Sequence, residues 1–189
     1  SVLVGDVMAD VLYNSRSLIE KTEIVNVPTN LLKGEFVVAT IHRASNTDDP
    51  AHLKHLFGRL SHLGVNVILV AHPRLRAAMA AQSLLLPEGS IYMVEPLGYF
   101  EMLKLVKSSI GVITDSGGLQ KDAFLLGVPC VTLRTESEWP ETFVSSMNIL
   151  SPDANNLEEL IRREVEPVTH NPYGDGTAAD KILHSLLTY

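Results

Sequence analysis

The chain has 189 residues, 46% of them hydrophobic and 20% charged, enough to bury one substantial core and of a size for one domain or one half of a larger protein. Its formal net charge of −7 argues against a general nucleic-acid or anionic-membrane surface, so any phosphate must be held by a local site. One cysteine, Cys130, excludes an internal disulfide framework and predicts a reducing, cytoplasmic setting, and no apolar run reaches the roughly 18 residues that span a bilayer.

In chain order, residues 6–20 read as a first helix, after an opening SVLVGDVMAD that lacks the basic-then-apolar order of a signal peptide. EFVVATI (35–41) reads as a strand ending in HRASN, His42 to Asn46, and a helix follows over 50–63. VNVILV (65–70) is the next strand; it ends in AHPR, with His72 and Arg74, and leads to a helix over 74–85. SIYMV (90–94) passes through EPLGYF into a helix over 99–109, and SIGVIT (109–114) passes through DSGG into a helix over 118–126. CVTL (130–133) runs into RTESEWPE, and two closing helices are expected at about 156–165 and 176–187. Pro or Gly stands at most junctions. Strands of Val and Ile without polar alternation need helices on both faces, so the expected fold is a doubly wound, Rossmann-like parallel α/β sheet in a single domain over 1–189. No internal repeat or low-complexity tract interrupts it.

In such a sheet, ligands gather at the carboxyl ends of the strands. There the sequence places His42, Arg43, His72, Arg74, Ser116 and Arg134. Gly117 and Gly118 strip Cβ atoms from the start of a helix, where free amides favour an anion and guanidinium groups match phosphate oxygens. Asp122, one turn further on, can accept hydrogen bonds from a vicinal diol such as a ribose, and together these groups describe a nucleotide. Taken singly, each has a plainer reading: SGG as a tight strand-to-helix connection, the arginines as solvated cations, Tyr99 and Met102 as packing. Five polar clusters at the same type of position favour a shared pocket. His52, His55 and His62 read as surface or boundary residues, because no cysteine or acidic partner completes a metal pattern. The absence of GxGxxG, GxxxxGK[ST] and GxSxG leaves dinucleotide redox, P-loop and serine-hydrolase chemistry unsupported.

The run VGDVMADVL, ATIHRASNTDD, AHPR, EPLGY, TDSGGLQKDAFLLGVPCVTLR, TESEWPE and NPYGDGTAADKIL resembles the carboxyl-terminal half of the non-hydrolysing UDP-N-acetylglucosamine 2-epimerases along nearly the whole chain. The resemblance implies one half of a two-domain GT-B-like enzyme, with residues 1–20 as the crossover from an absent amino-terminal domain. The missing initiator Met fits that expectation. It implies UDP elimination to a 2-acetamidoglucal and re-addition with inversion at C2, no cofactor or metal, and a homodimer of the full-length protein. By the same resemblance His42 lies near the diphosphate and sugar, Ser116, Gly117 and Gly118 meet the phosphates, Asp122 reaches the ribose, Met102 lies beside uracil, and Arg134 and Glu138 line the pocket.

The chain departs from the family pattern at Ser45, where HRxEN has glutamate, at Asp122, where glutamate is usual, at Met102, often Phe, and at Trp139, in the place of the TERPE arginine. Its SGGLQK form is similar to archaeal members and to relatives acting on UDP-2,3-diacetamido-uronic acids. A GT-B glycosyltransferase donor domain and a binding or dimer-contact module remain the alternatives. Two further expectations are that Asp175 or Thr177 caps the last helix and that part of its apolar face is uncovered.

Overall fold

The uniformly apolar runs become strands. In the computed structural model, which describes residues 1–166 and 171–188, the five expected strands are β1 (Phe36–Thr40), β2 (Asn66–Val70), β3 (Ile91–Val94), β4 (Gly111–Thr114) and β5 (Cys130–Thr132). A sixth, β6 (Asn148–Leu150), extends the sheet. The helices are α1 (Val7–Asn14), α2 (Arg16–Lys21), α3 (Ala44–Thr47), α4 (Pro50–Ser61), α5 (Pro73–Ala81), α6 (Tyr99–Ser108), α7 (Gly117–Leu126), α8 (Leu157–Arg162) and α9 (Ala178–Thr188). All strands pair in parallel, in the order β3-β2-β1-β4-β5-β6. Strand order therefore reverses between β1 and β4, which opens a crevice beyond their carboxyl ends.

Successive strand residues point to opposite faces, and the core divides accordingly. Val37, Ala39, Val67, Leu69, Ile113 and Val131 pack with Leu53 and Phe57 of α4, Leu75 of α5 and Ile161 of α8. Phe36, Val38, Ile68, Val70, Val112 and Cys130 pack with Leu105 and Val106 of α6 and Leu119 and Ala123 of α7. Burying each large apolar side chain contributes about 1.5–3 kcal/mol, so both helical layers are needed to cover this sheet.

Three elements differ from the sequence expectation. The first helix breaks at Ser15 (φ −96°, ψ 4°) into α1 and α2, and HRASN leads into the single turn of α3. A 3₁₀ segment, Pro140–Ser146, precedes β6. That strand was invisible because it is three residues long and centred on a polar network: buried Asn148 accepts from Thr132 Oγ1 (2.7 Å) and donates to Thr142 Oγ1 (3.0 Å) and Gln120 Oε1 (3.3 Å).

The two ends of the chain close on each other. Buried Asp10 of α1 accepts from the N–H groups of Ala178 (3.0 Å) and Ala179 (2.8 Å), capping α9 from across the fold. Asp175 contributes a weaker local bond to Thr177 N–H (3.3 Å), so the expected local cap is only part of the arrangement. Gly5 and Gly174, both at positive φ, bring two backbones together: a Cβ on Gly174 would stand 3.1 Å from Gly5 Cα. On α9, Leu183, Leu186 and Leu187 are exposed at 56%, 74% and 79%, so the apolar face is uncovered as expected. Among the described residues, no helix is long and apolar enough to cross a membrane.

Candidate functional site

At the reversal point lies a cavity of about 320 Å³ lined by Thr40 and His42 from the end of β1, Val70 and His72 from the end of β2, Pro96, Leu97 and Met102 from the β3–α6 connection and α6, and Ser116, Gly118, Leu119 and Asp122 from α7. Six of the eleven residues proposed from sequence thus share one cavity: His42, His72, Met102, Ser116, Gly118 and Asp122.

His42 is held from behind by a residue that sequence reasoning did not assign. The Asp115 carboxylate, fully buried after β4, accepts from the backbone N–H groups of His42 (2.9 Å) and Arg43 (2.8 Å) and from Asn46 Nδ2 (2.9 Å). Its other oxygen lies 3.0 Å from His42 Nδ1. Burial pushes the Asp115 carboxyl up, but the bonds from the His42 ring, Arg43 N–H, Asn46 and His42 N–H outweigh it and hold the group below the usual range, as a carboxylate. Asn46 donates as well to Leu133 C=O (3.0 Å), tying the turn to the end of β5. The signal for Asp115 was its place in TDSGG: a lone acid at the end of an apolar strand must find donors.

His72 stands over His42, ring centroids 5.0 Å apart and planes tilted by 31°. It is the N-cap of α5, with Nδ1 accepting from Arg74 N–H at 3.1 Å.

Across the crevice α7 begins. Ser116 is its N-cap, with Oγ accepting from Leu119 N–H at 3.4 Å, and the first-turn amides of Gly117 and Gly118 have no intrahelical acceptor. The two glycines differ. A Cβ on Gly117 would meet Glu138 Oε2 at 3.3 Å and Trp139 Nε1 at 3.4 Å, so the protein itself crowds it. A Cβ on Gly118 would meet nothing closer than Ser116 Oγ at 4.0 Å; the space beyond it belongs to the cavity.

On the cavity side of α7, burial pushes the Asp122 carboxyl up to about 6, with Lys121 and a long hydrogen bond from Tyr99 Oη (3.4 Å) pulling the other way. Met102 is half-buried at the edge of the apolar layer beneath α6.

The expected arginines do not enter this cavity. Arg43 and Arg134 line a neighbouring depression of about 390 Å³ with Ser45, Asn46 and His52, and both turn to Glu138, at 3.2 Å and 2.5 Å. Those guanidinium groups, Arg134 first, hold the Glu138 carboxyl down at about 2. Arg74, expected to converge with them, instead donates to Thr47 Oγ1 (3.0 Å) and Asp48 (2.7 Å), because α3, absent from the sequence reading, presents acceptors within its reach. Trp139 packs against Tyr173 and beneath Lys121 Nζ, 4.2 Å from its ring. Among the described residues, no cluster of His, Cys, Asp and Glu has an arrangement that could hold a metal ion.

A cavity with a helix start, a half-buried acid on its wall and a backed imidazole can bind an anion next to a hydroxylated ring. The sequence profile of the family described as UDP-N-acetylglucosamine 2-epimerase matches residues 2–187. The chain is 36% identical over 190 residues to a UDP-N-acetylglucosamine 2-epimerase homolog of Methanococcus maripaludis, covering 97% of this chain and 53% of the relative. It is equally 36% identical, over 193 residues, to the UDP-2,3-diacetamido-2,3-dideoxy-D-glucuronate 2-epimerase of Pseudomonas aeruginosa, covering 98% and 52%. Among solved structures, the Methanocaldococcus jannaschii UDP-GlcNAc 2-epimerase in complex with UDP-GlcNAc and UDP superposes with a TM-score of 0.86 at 30% identity, covering all of this chain and 55% of that one. The chain spans about half the length of the curated relatives it matches.

Proposed function

The chain belongs to the UDP-N-acetylglucosamine 2-epimerase family, and on that premise we propose that it is the UDP-binding half of a UDP-sugar 2-epimerase with a GT-B-like two-domain architecture. One observation carries the reading: the start of α7, the wall acid Asp122, the apolar side of Met102 and the imidazole of His42 open onto a single cavity at the β1/β4 reversal. In this reading the amides of Gly117 and Gly118 and Ser116 Oγ bind the diphosphate, Asp122 takes the ribose hydroxyls, Met102 lies beside the base, and His42 stands where diphosphate meets sugar. Arg43, Arg134 and Glu138 form the rim toward the sugar, and His72 supports His42.

The reaction breaks the sugar C1–O bond and the C2–H bond, releasing UDP and a 2-acetamidoglucal, and re-adds UDP with the opposite configuration at C2. This half supplies what the departing diphosphate needs, fixed donors aimed at accumulating charge, which is ordinarily a large catalytic contribution. Most of the carboxylates that move the C2 proton belong to the other half, so residues 1–189 alone bind UDP weakly and turn over nothing. The full-length enzyme is proposed to act as a cytoplasmic homodimer. The uncovered face of α9, with Leu183, Leu186 and Leu187, fits against the other half of the protein.

The equal similarity to a glucuronate-type epimerase favours keeping a second substrate in view, a UDP-2,3-diacetamido-uronic acid. Full-length protein assayed with each UDP-sugar by proton NMR in deuterated water decides between them: inversion at C2 with deuterium incorporation identifies the substrate. No inversion with either sugar, alongside transfer to an acceptor, would identify a glycosyltransferase instead.

A further inference from the structure

We infer that Asp115 is a positioning residue that fixes the His42 ring with its proton on Nδ1, so that UDP binding in this cavity draws a proton onto Nε2. The inference rests on the proposed site insofar as His42 meets the diphosphate. Its structural half stands on the fold alone.

Asp115 is fully buried and held ionised by its donors, so both its oxygens can only accept. A lone pair on His42 Nδ1, 3.0 Å away, would face that anion, so the carboxylate favours the ring proton on Nδ1. Two backbone N–H groups and the Asn46 amide grip the same carboxylate, which fixes the ring's place as well as its tautomer. The ring is 27% exposed, and Nε2 has no partner among the described residues. A neutral ring so fixed offers only a lone pair at Nε2, which repels a phosphate oxygen. Donation to that oxygen requires the imidazolium, whose two N–H groups then lie between two anions, Asp115 and the diphosphate. Binding and protonation are thereby linked.

The other charged and titratable groups that face the ring do not take over this role. His72, stacked at 5.0 Å, has Nδ1 committed as an acceptor; Asp122 lies on the α7 wall of the cavity; the neighbouring Arg43 is paired with Glu138.

The test is UDP calorimetry on the full-length protein at pH 8, in two buffers of different ionisation enthalpy. Wild type should take up more protons per UDP bound than His42→Gln, which retains Asp122 and His72 and so reports what they and the nucleotide contribute. In Asp115→Asn the amide oxygen still accepts from the backbone while its NH₂ donates to Nδ1. The ring proton then sits on Nε2, the same wrong-tautomer outcome seen in catalytic triads, and uptake falls to the His42→Gln level. Uptake by wild type no greater than by His42→Gln overturns the inference, as does an unchanged Asp115→Asn. Without ligand, ring ¹⁵N spectra must show neutral His42 protonated on Nδ1, and a ring protonated on Nε2 overturns the inference whether or not UDP binds. If wild type fails to bind UDP while the ring carries its proton on Nδ1, the functional reading fails and the placement by Asp115 stands.

Discussion

Tyr99 of α6 reaches across to Asp122 of α7, its hydroxyl 3.4 Å from the carboxylate, and this is the one hydrogen bond the Asp122 side chain receives among the described residues. The acid is thus poorly compensated for its burial, and its pKa rises to about 6. A carboxyl whose folded pKa is raised retains a proton that the unfolded chain has lost, so its contribution to stability declines as pH climbs from about 4 to about 6 and is at its worst above that. Asp122→Asn should therefore melt higher than wild type at pH 8, by about 1–2 kcal/mol, and equal to it near pH 4, while losing most affinity for UDP. Thermal melts at the two pH values check the first part; a variant less stable at pH 8 contradicts it.

The same acid predicts how ligand binding responds to pH. Ribose hydroxyls need an ionised acceptor, so in a His42→Gln background, where the imidazole takes up no proton, UDP affinity should rise as pH climbs through about 6, and adding Asp122→Asn should flatten that rise. Titrations between pH 5 and 7.5 read this directly.

Gly118 and Gly117 separate stability from function. A methyl at Gly118 meets no protein atom closer than 4.0 Å, and Ala is the better helix former by about 1 kcal/mol. Gly118→Ala should melt no lower than wild type yet bind UDP roughly tenfold or more weakly, because the methyl intrudes where main-chain nitrogen must approach the phosphate. Gly117→Ala presses on Glu138 and Trp139 at 3.3 Å and 3.4 Å and should cost stability as well.

Asp10 joins the opening helix to the last one. Removing its carboxylate by Asp10→Ala leaves the Ala178 and Ala179 amides unmatched and should cost about 1–2 kcal/mol. Hydrogen exchange should accelerate over 178–188 and leave the cavity unaffected.

How much of this was legible depended on the kind of signal. Unbroken β-branched runs such as Phe36–Thr40 and Asn66–Val70 announce buried parallel strands, and the strand-end polar groups follow from that topology, so His42, Ser116 and Asp122 could be placed together in advance. What stayed hidden was long-range. β6 is held by Asn148 in a buried polar network, and α9 is capped by an acid 168 residues away; neither leaves a period in the sequence. The partners of the arginines were hidden for another reason. Their strand-end positions were right, but Arg74 finds Asp48 and Arg43 and Arg134 find Glu138, and which acid a long cation chooses is decided by loops that carry no pattern.

We propose that the start of α7 and the end of β1 build one pocket for a uridine diphosphate. A crystal structure of the protein with UDP tests it most directly. The diphosphate is expected within hydrogen-bond distance of the Gly117 and Gly118 amides and Ser116 Oγ, with the ribose at Asp122 and the base beside Met102. UDP seated in the depression between Arg43 and Arg134, or anywhere else away from the start of α7, would contradict it.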